Sequence, residues 1–218
     1  MPRPTNPVLS PGRITRAGLE IIDAEGLEAL SMRRLAEHLG VRAASLYNHV
    51  RTKDELLQAV AEDVMGEVDV SGFDTGWETG LRVWARSYRA ALAAHPNLVP
   101  FLASGPARRE TALQRADAVH GGLTRAGWPQ RSATMIGASA KYLVVGAALG
   151  SFAAGFEDDA ELYSGRFPHL DHAHLLRERA SDIDANSFEL ALEALISGLR
   201  QQLPSGDFPA GDRGHDGR

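Results

Sequence analysis

No cysteine occurs among the 218 residues. That excludes a disulfide framework, a thiolate metal site and a cysteine nucleophile. Lysine is nearly absent, with two residues against 21 arginines. With abundant alanine and glycine, this bias points to GC-rich codons and a bacterial chromosome. The longest nearly apolar run, 142–156, falls short of the ~20 residues a membrane span needs, so no membrane is expected. The opening MPRPTNPVLSPGR lacks an apolar h-region and is not read as a signal peptide, which leaves the cytoplasm as the expected location. Alternating strand patterns and internal repeats are missing. So are a G-x-S-x-G elbow and a phosphate-binding glycine loop. The fragment His120-Gly121-Gly122 lacks the strand–turn–helix frame of an oxyanion loop. An enzyme is not expected, nothing calls for a cofactor, and no resident metal is assigned.

What is present is an ordinary globular composition, 44% hydrophobic and 23% charged, with charge unevenly placed. The net charge is −5. Residues 1–53 nevertheless carry eight cations against five acids, a net +3, and the remainder is −8. A basic head on an acidic body suits a small nucleic-acid-binding module attached to something else.

Helical periodicity runs through almost the whole chain, which makes the expected fold all-α. Ser10-Pro11 is an N-cap with proline at the first helical position. The stretch 12–25 then places Ile14, Ala17, Gly18, Ile21 and Ile22 on one face, and Gly26 ends it. Ser31 caps a second helix ending at Gly40, and a short third helix is expected over 43–49. Thr52-Lys53-Asp54-Glu55 is a capping box that opens a fourth. Further helices are expected over 77–94, 98–103, 107–126, 130–155 and 184–203, with a polar loop at 157–182. The tail 204–218 has a disordered composition.

The second and third helices, joined by Gly40-Val41-Arg42, have the helix-turn-helix layout. Val41, Leu46 and Val50 would pack the third helix inward. Arg42, Ala43, Ala44, Ser45, Tyr47 and Asn48 would then face outward, a set small and polar enough for a major groove.

The stretch GLEALSMRRLAEHLGVRAASLYNHVRTKDELLQAV strongly resembles the DNA-binding domain of the tetracycline-repressor family. The carriers are Gly26, Leu30-Ser31, Leu35-Ala36, Leu39-Gly40-Val41, Ser45-Leu46-Tyr47, His49-Val50, Lys53 and Leu56-Leu57. Trp77, YRAALAAHP and LEALISGLRQQL extend a weaker likeness to the tetracycline-repressor branch. The resemblance implies a three-helix DNA-binding head (1–52), a linking helix (53–72) and a ligand-binding and dimerisation domain (73–203). It implies phosphate contacts from Tyr47 and Lys53, guanine contact from Arg33, and base reading by Arg42, Ala43, Ala44 and Ser45, with Asn48 and His49 beside them. Arg34 is expected to be a solvated or phosphate-facing charge. The expected partners are double-stranded operator DNA and a small-molecule inducer.

The helix at 130–155 (Met135, Ser139, Tyr142, Val145, Gly146, Leu149, Gly150) and the last helix (Phe188, Leu192, Leu195, Ile196, Leu199) are too apolar for one hairpin. A surplus apolar face marks an interface, and the resemblance implies a homodimer bundle through these two helices. Trp84, Tyr88, Phe101, Leu102, His120, Met135 and Ser139 are the candidate inducer-lining residues, mostly apolar with a few polar handles. By the same resemblance, Leu102, Trp84, Val68 and about Gly150 stand where the tetracycline repressors place groups around the magnesium–tetracycline chelate. The expected inducer is therefore more apolar and not tetracycline. A competing class is a metal-responsive regulator sensing through His169, Asp171, His172 and His174, whose side chains suit zinc, nickel or copper.

Overall fold

The computed structural model describes residues 9–103 and 110–203. Among these, all regular structure is helical. The expectation for 204–218, and the start of the helix expected at 107, lie outside the described residues.

By packing, the chain groups into two compact units, Met1–Asp69 with Arg86–Asp117, and Val70–Ala85 with Ala118–Arg218. In the first, α1 (Pro11–Glu25), α2 (Met32–Leu39), α3 (Ala43–Leu46) and α4 (Lys53–Met65) follow in order. Ser10, Ser31 and Thr52 each accept the backbone N–H three residues on, capping α1, α2 and α4. Glu55 completes its cap by accepting from Arg51 N–H at 2.8 Å, one residue earlier than an ordinary box. Ile14, Ile21, Ile22, Leu35, Leu46 and Leu56 are fully buried and form the head's core. The same unit holds the second half of α5 (Trp77–Ala94), all of α6 (Val99–Ala103) and the first half of α7 (Glu110–Arg125).

The second unit contains α8 (Gln130–Leu149), the short α9 (Ala160–Tyr163) and α10 (Ala180–Gln202). Helix α8 packs on α10 through Ala133, Ile136, Ala140 and Val144 on one side, and Phe188, Leu192, Ile196 and Leu199 on the other. Trp77 and Trp128 meet edge to face at 5.7 Å. The link from α4 into α5 is anchored by Phe73, whose ring lies against Gly80 of α5 and Gly122 of α7. Only glycine allows that approach. A Cβ at Gly80 would lie 2.6 Å from the ring's Cε1, and one at Gly122 2.7 Å from Phe73 Cβ.

Several boundaries differ from expectation: α10 starts at Ala180 rather than 184, α4 stops at Met65 rather than 72, and α9 lies inside the stretch read as a loop. Helix α8 stops at Leu149 rather than 155, because Gly150 is extended and Ser151 Oγ starts a new turn by accepting Ala154 N–H at 2.9 Å. Helix α3 stops at Leu46 rather than His49, as His49 and Val50 N–H both fold back onto Leu46 O at 2.8 and 2.9 Å. Residues 130–155 are, by composition, long and apolar enough to cross a membrane. The run judged too short from the sequence, 142–156, is the C-terminal part of this longer stretch and extends one residue past it.

Ion pairs join α5 to α10. Arg82 donates through Nε and Nη2 to both carboxylate oxygens of Glu193 at 2.8 Å. Arg200 likewise grips Glu78, with Nε at 2.8 Å. The Arg200 hydrogen bonds hold the Glu78 carboxyl below its ordinary range. A carboxylate lowered on folding stabilises above its unfolded pKa, and that contribution is lost as pH falls through the folded value. Glu78→Gln should therefore flatten the loss of urea stability below about pH 4.3, while leaving the shape of the curve above pH 6 unchanged. An acid limb identical to the parent's would show that the pair is screened to nothing by solvent.

Candidate nucleic-acid interface

Gly40 creates the turn that aims the recognition helix. Its φ of 66° and ψ of 33° are left-handed, where a Cβ is penalised. Its N–H donates to Glu37 O and that of Val41 to Ala36 O, which closes α2 in a Schellman motif. Helix α3 then leaves with Leu46 and, just beyond it, Val50 buried. Arg42, Ala44, Tyr47, Asn48 and His49 are exposed, and Ala43, Ser45 and Lys53 half-buried. Apart from Arg33 on α2, the predicted base-reading and phosphate-facing residues thus lie on or directly beside one short helix and the start of α4. Arg33 is 90% exposed at the start of α2, with only a loose 3.5 Å contact to Glu37. Lys53 occupies the first turn of α4, where unpaired backbone N–H groups favour an anion.

The cations of the head divide by partner. Arg34 is not the solvated or phosphate-facing charge expected from the sequence. Its Nε lies 3.1 Å from both Glu25 oxygens, and Nη2 closes on one of them. The guanidinium keeps the Glu25 carboxyl below its ordinary range. His38 Nε2 lies 2.9 Å from Glu20. These two pairs tie α1 to α2; Arg33 on α2, Arg42 at the N-cap of α3 and Lys53 at the start of α4 are not in them. Sequence spacing hid the pairs, since nine and eighteen residues separate the partners.

Residues 14–60 match the family described as bacterial regulatory proteins, tetR family, and residues 71–203 match the tetracyclin repressor-like C-terminal domain. The chain belongs to the tetR family. The tetracycline repressor protein class A from transposon 1721 of Escherichia coli is 31% identical over 89% of this chain and 92% of its own length. An HTH-type transcriptional regulator of Saccharopolyspora erythraea is 31% identical over 76% of this chain and 71% of its own. Among solved structures, the Streptomyces coelicolor TetR family protein ActR in complex with actinorhodin has a TM-score of 0.72 at 30% identity, covering 92% of this chain and 99% of that one. Like its relatives, this tetR-family chain is a DNA-binding transcriptional regulator and not an enzyme.

The candidate inducer-lining residues of this tetR-family member fall in both compact units. Tyr88 and Leu102 are buried and Phe101 half-buried in the first; burial raises the Tyr88 hydroxyl pKa. In the second, Trp84 is buried and His120 half-buried, whereas Met135 and Ser139 are exposed. Those last two stand on the face of α8 turned away from its core, in line with Tyr142, Gly146 and Leu149. The steps of 4, 3, 4 and 3 residues trace one straight seam along a helix. Tyr142 is 75% exposed and Phe152, just past the helix, 74%. On α10 the residues expected to face outward do not: Phe188, Leu192, Ile196 and Leu199 are the buried core face, and Leu195 is half-buried. The exposed side instead carries Ser187, Leu190, Ala194 and Ser197.

The histidine loop does not assemble. Among the described residues no group of three His, Asp or Glu could hold a metal ion. Ala173 is buried in a tight turn, His169, Asp171 and His172 are exposed, and the Nδ1 of His174 is buried without a partner.

Proposed function

We propose that the protein is a ligand-responsive repressor that binds a palindromic operator as a homodimer and is released by a small-molecule inducer other than magnesium–tetracycline. The exposed, acid-free face of α3 carries the proposal: Arg42, Ala44, Tyr47 and Asn48 point outward over a fully buried Leu46. Arginine suits guanine O6 and N7, and alanine suits the thymine methyl. The exposed seam on α8 and the small-residue face on α10 support a second copy. A two-fold assembly would set two recognition helices about one DNA turn, ~34 Å, apart. In functional terms residues 1–52 form the head, 53–72 the link and 73–203 the ligand-binding and dimerisation part, acting in the cytoplasm where the chromosome lies.

Coupling from ligand to DNA runs through α4. Its Lys53 end meets phosphate, and Glu62, near its other end, accepts hydrogen bonds from Thr111 and Arg115 of α7. A coupling free energy of about 1–3 kcal/mol changes operator affinity roughly 5–150-fold. The apolar Leu102, Trp84 and Val68, where the tetracycline repressors hold their chelate, support a more apolar ligand.

The test is recovery of genomic fragments bound at about 150 mM salt. A few sharp peaks with a palindromic core are expected; binding that fades uniformly with salt would mean phosphate contact alone and would sink the proposal. The recovered operator then serves for release assays, with actinorhodin and magnesium–tetracycline as the first compounds. Release by the chelate would overturn the inducer assignment. On that operator, Arg33→Ala should weaken binding about tenfold or more and relax preference at one base per half-site. Arg34→Ala should leave base preference unchanged, its partner being Glu25.

A further inference from the structure

The last turn of α1 is held by a segment far away in sequence. Asn97, just before α6, donates its side-chain amide to Ile22 O at 3.0 Å and to Asp23 O at 3.1 Å. His95 Nδ1 lies 2.9 and 3.1 Å from the two Asp23 carboxylate oxygens. The carbonyls of a helix's last turn lack intrahelical partners. Here Gly26 N–H satisfies Ile22 O, and Asn97 supplies a further donor to it and to its neighbour. Pro96 sits between the two polar residues and stiffens the turn that presents them. Leu98 and Val99 follow fully buried, so the turn is seated in the core as well as hydrogen-bonded.

We infer that His95 and Asn97 are positioning residues that lock the DNA-binding head, through α1, to the segment leading into α6. The inference rests on the operator-binding reading above. The lock gives the head a second attachment besides α4. Residues 96–103 carry Phe101 and Leu102, two of the candidate inducer-lining residues, and they share a compact unit with the head. A shift of the segment leading into α6 is therefore passed to α1 through these bonds. By reciprocity, fixing the head on DNA quiets 96–103.

Amide exchange on the full-length protein, with and without the recovered operator fragment, tests this. In the parent, operator binding should slow exchange in 32–46 and also in 19–26 and 96–103. Asn97→Asp keeps the size of the side chain but removes its N–H donors. It should hold operator affinity within about threefold while losing the operator-induced slowing at 96–103 alone. His95→Gln, which can still donate to Asp23, should retain more of that slowing than His95→Ala. Persistence of the full effect in Asn97→Asp, or slowing of 32–46 in the parent with none at 96–103, overturns the lock. If no DNA slows 32–46, the operator reading has failed, and the DNA-free protein decides the lock separately. There Asn97→Asp should speed exchange about tenfold in both 19–26 and 96–103, as loss of two hydrogen bonds implies. Acceleration confined to 96–103 would overturn it.

Discussion

Gly122→Ala is expected to lower the unfolding free energy by about 3 kcal/mol, the upper end for overpacking a well-filled site. The reason is the seating of Phe73, which is 4% exposed and lies against the backbones of Gly80 and Gly122. An added methyl at Gly122 meets Cβ of Phe73 as well as its ring, so rotation of the ring alone cannot relieve the clash. The backbone around Gly72 offers little room to retreat, since a Cβ there would lie 2.9 Å from Thr79 O and 3.0 Å from Val83 Cβ. Phe73→Ala should cost about 3–5 kcal/mol through the cavity it leaves. The double variant should cost less than the two single losses combined, by at least about 1 kcal/mol, because the methyl then enters the vacated space. Urea unfolding at one fixed protein concentration measures all three; strict additivity would mean that ring and glycine do not share a contact.

Tyr142→Asp combined with Leu149→Asp is expected to turn the proposed dimer into monomers and to weaken operator binding by about a hundredfold or more. The two side chains are 75% and 63% exposed and share one straight seam on α8. A carboxylate on each of two apposed seams must be desolvated beside its symmetry mate, a cost that apolar contacts there cannot offset. Loss of the second head removes an effective-concentration advantage of about 10²–10⁴. Sedimentation equilibrium and operator anisotropy give the two readouts, and circular dichroism should show unchanged helix content, since both sites face away from the α8 core. Leu190→Asp on α10 should act in the same direction. A dimer that survives all three charges would remove α8 and α10 from the interface.

Helix α5 was legible to the residue, because Trp77 opens its periodic run and His95-Pro96 closes it. The starts of α1, α2 and α4 were equally legible, for Ser10, Ser31 and Thr52 are local caps that act within three residues of themselves. The helix-turn-helix follows from the same locality, since Gly40 sets its turn by its own φ. The outward face of α3 also came from spacing alone, as Leu46 and Val50 must point inward. Where the sequence misled, the deciding partner was distant. Arg34 read as a solvent or phosphate charge until Glu25 was found beside it, and His95 and Asn97 carried no signal until α1 was seen to end against them.

The faces of α8 and α10 show the same division. Composition alone determined that both helices are richer in apolar residues than one hairpin needs. Which residues form the surplus was decided only by packing: Phe188, Leu192, Ile196 and Leu199 went to the core of their own chain, while Met135, Tyr142, Leu149 and Leu190 were left outside. Periodicity states that residues share a side of a helix, but a helix has no knowledge of which side its neighbours occupy. That choice is made by the summed contacts of the whole unit. The sequence therefore determined the helices, their caps and the DNA-facing turn, and the tertiary structure alone decided which charges are spent inside the head and which apolar face remains for a partner.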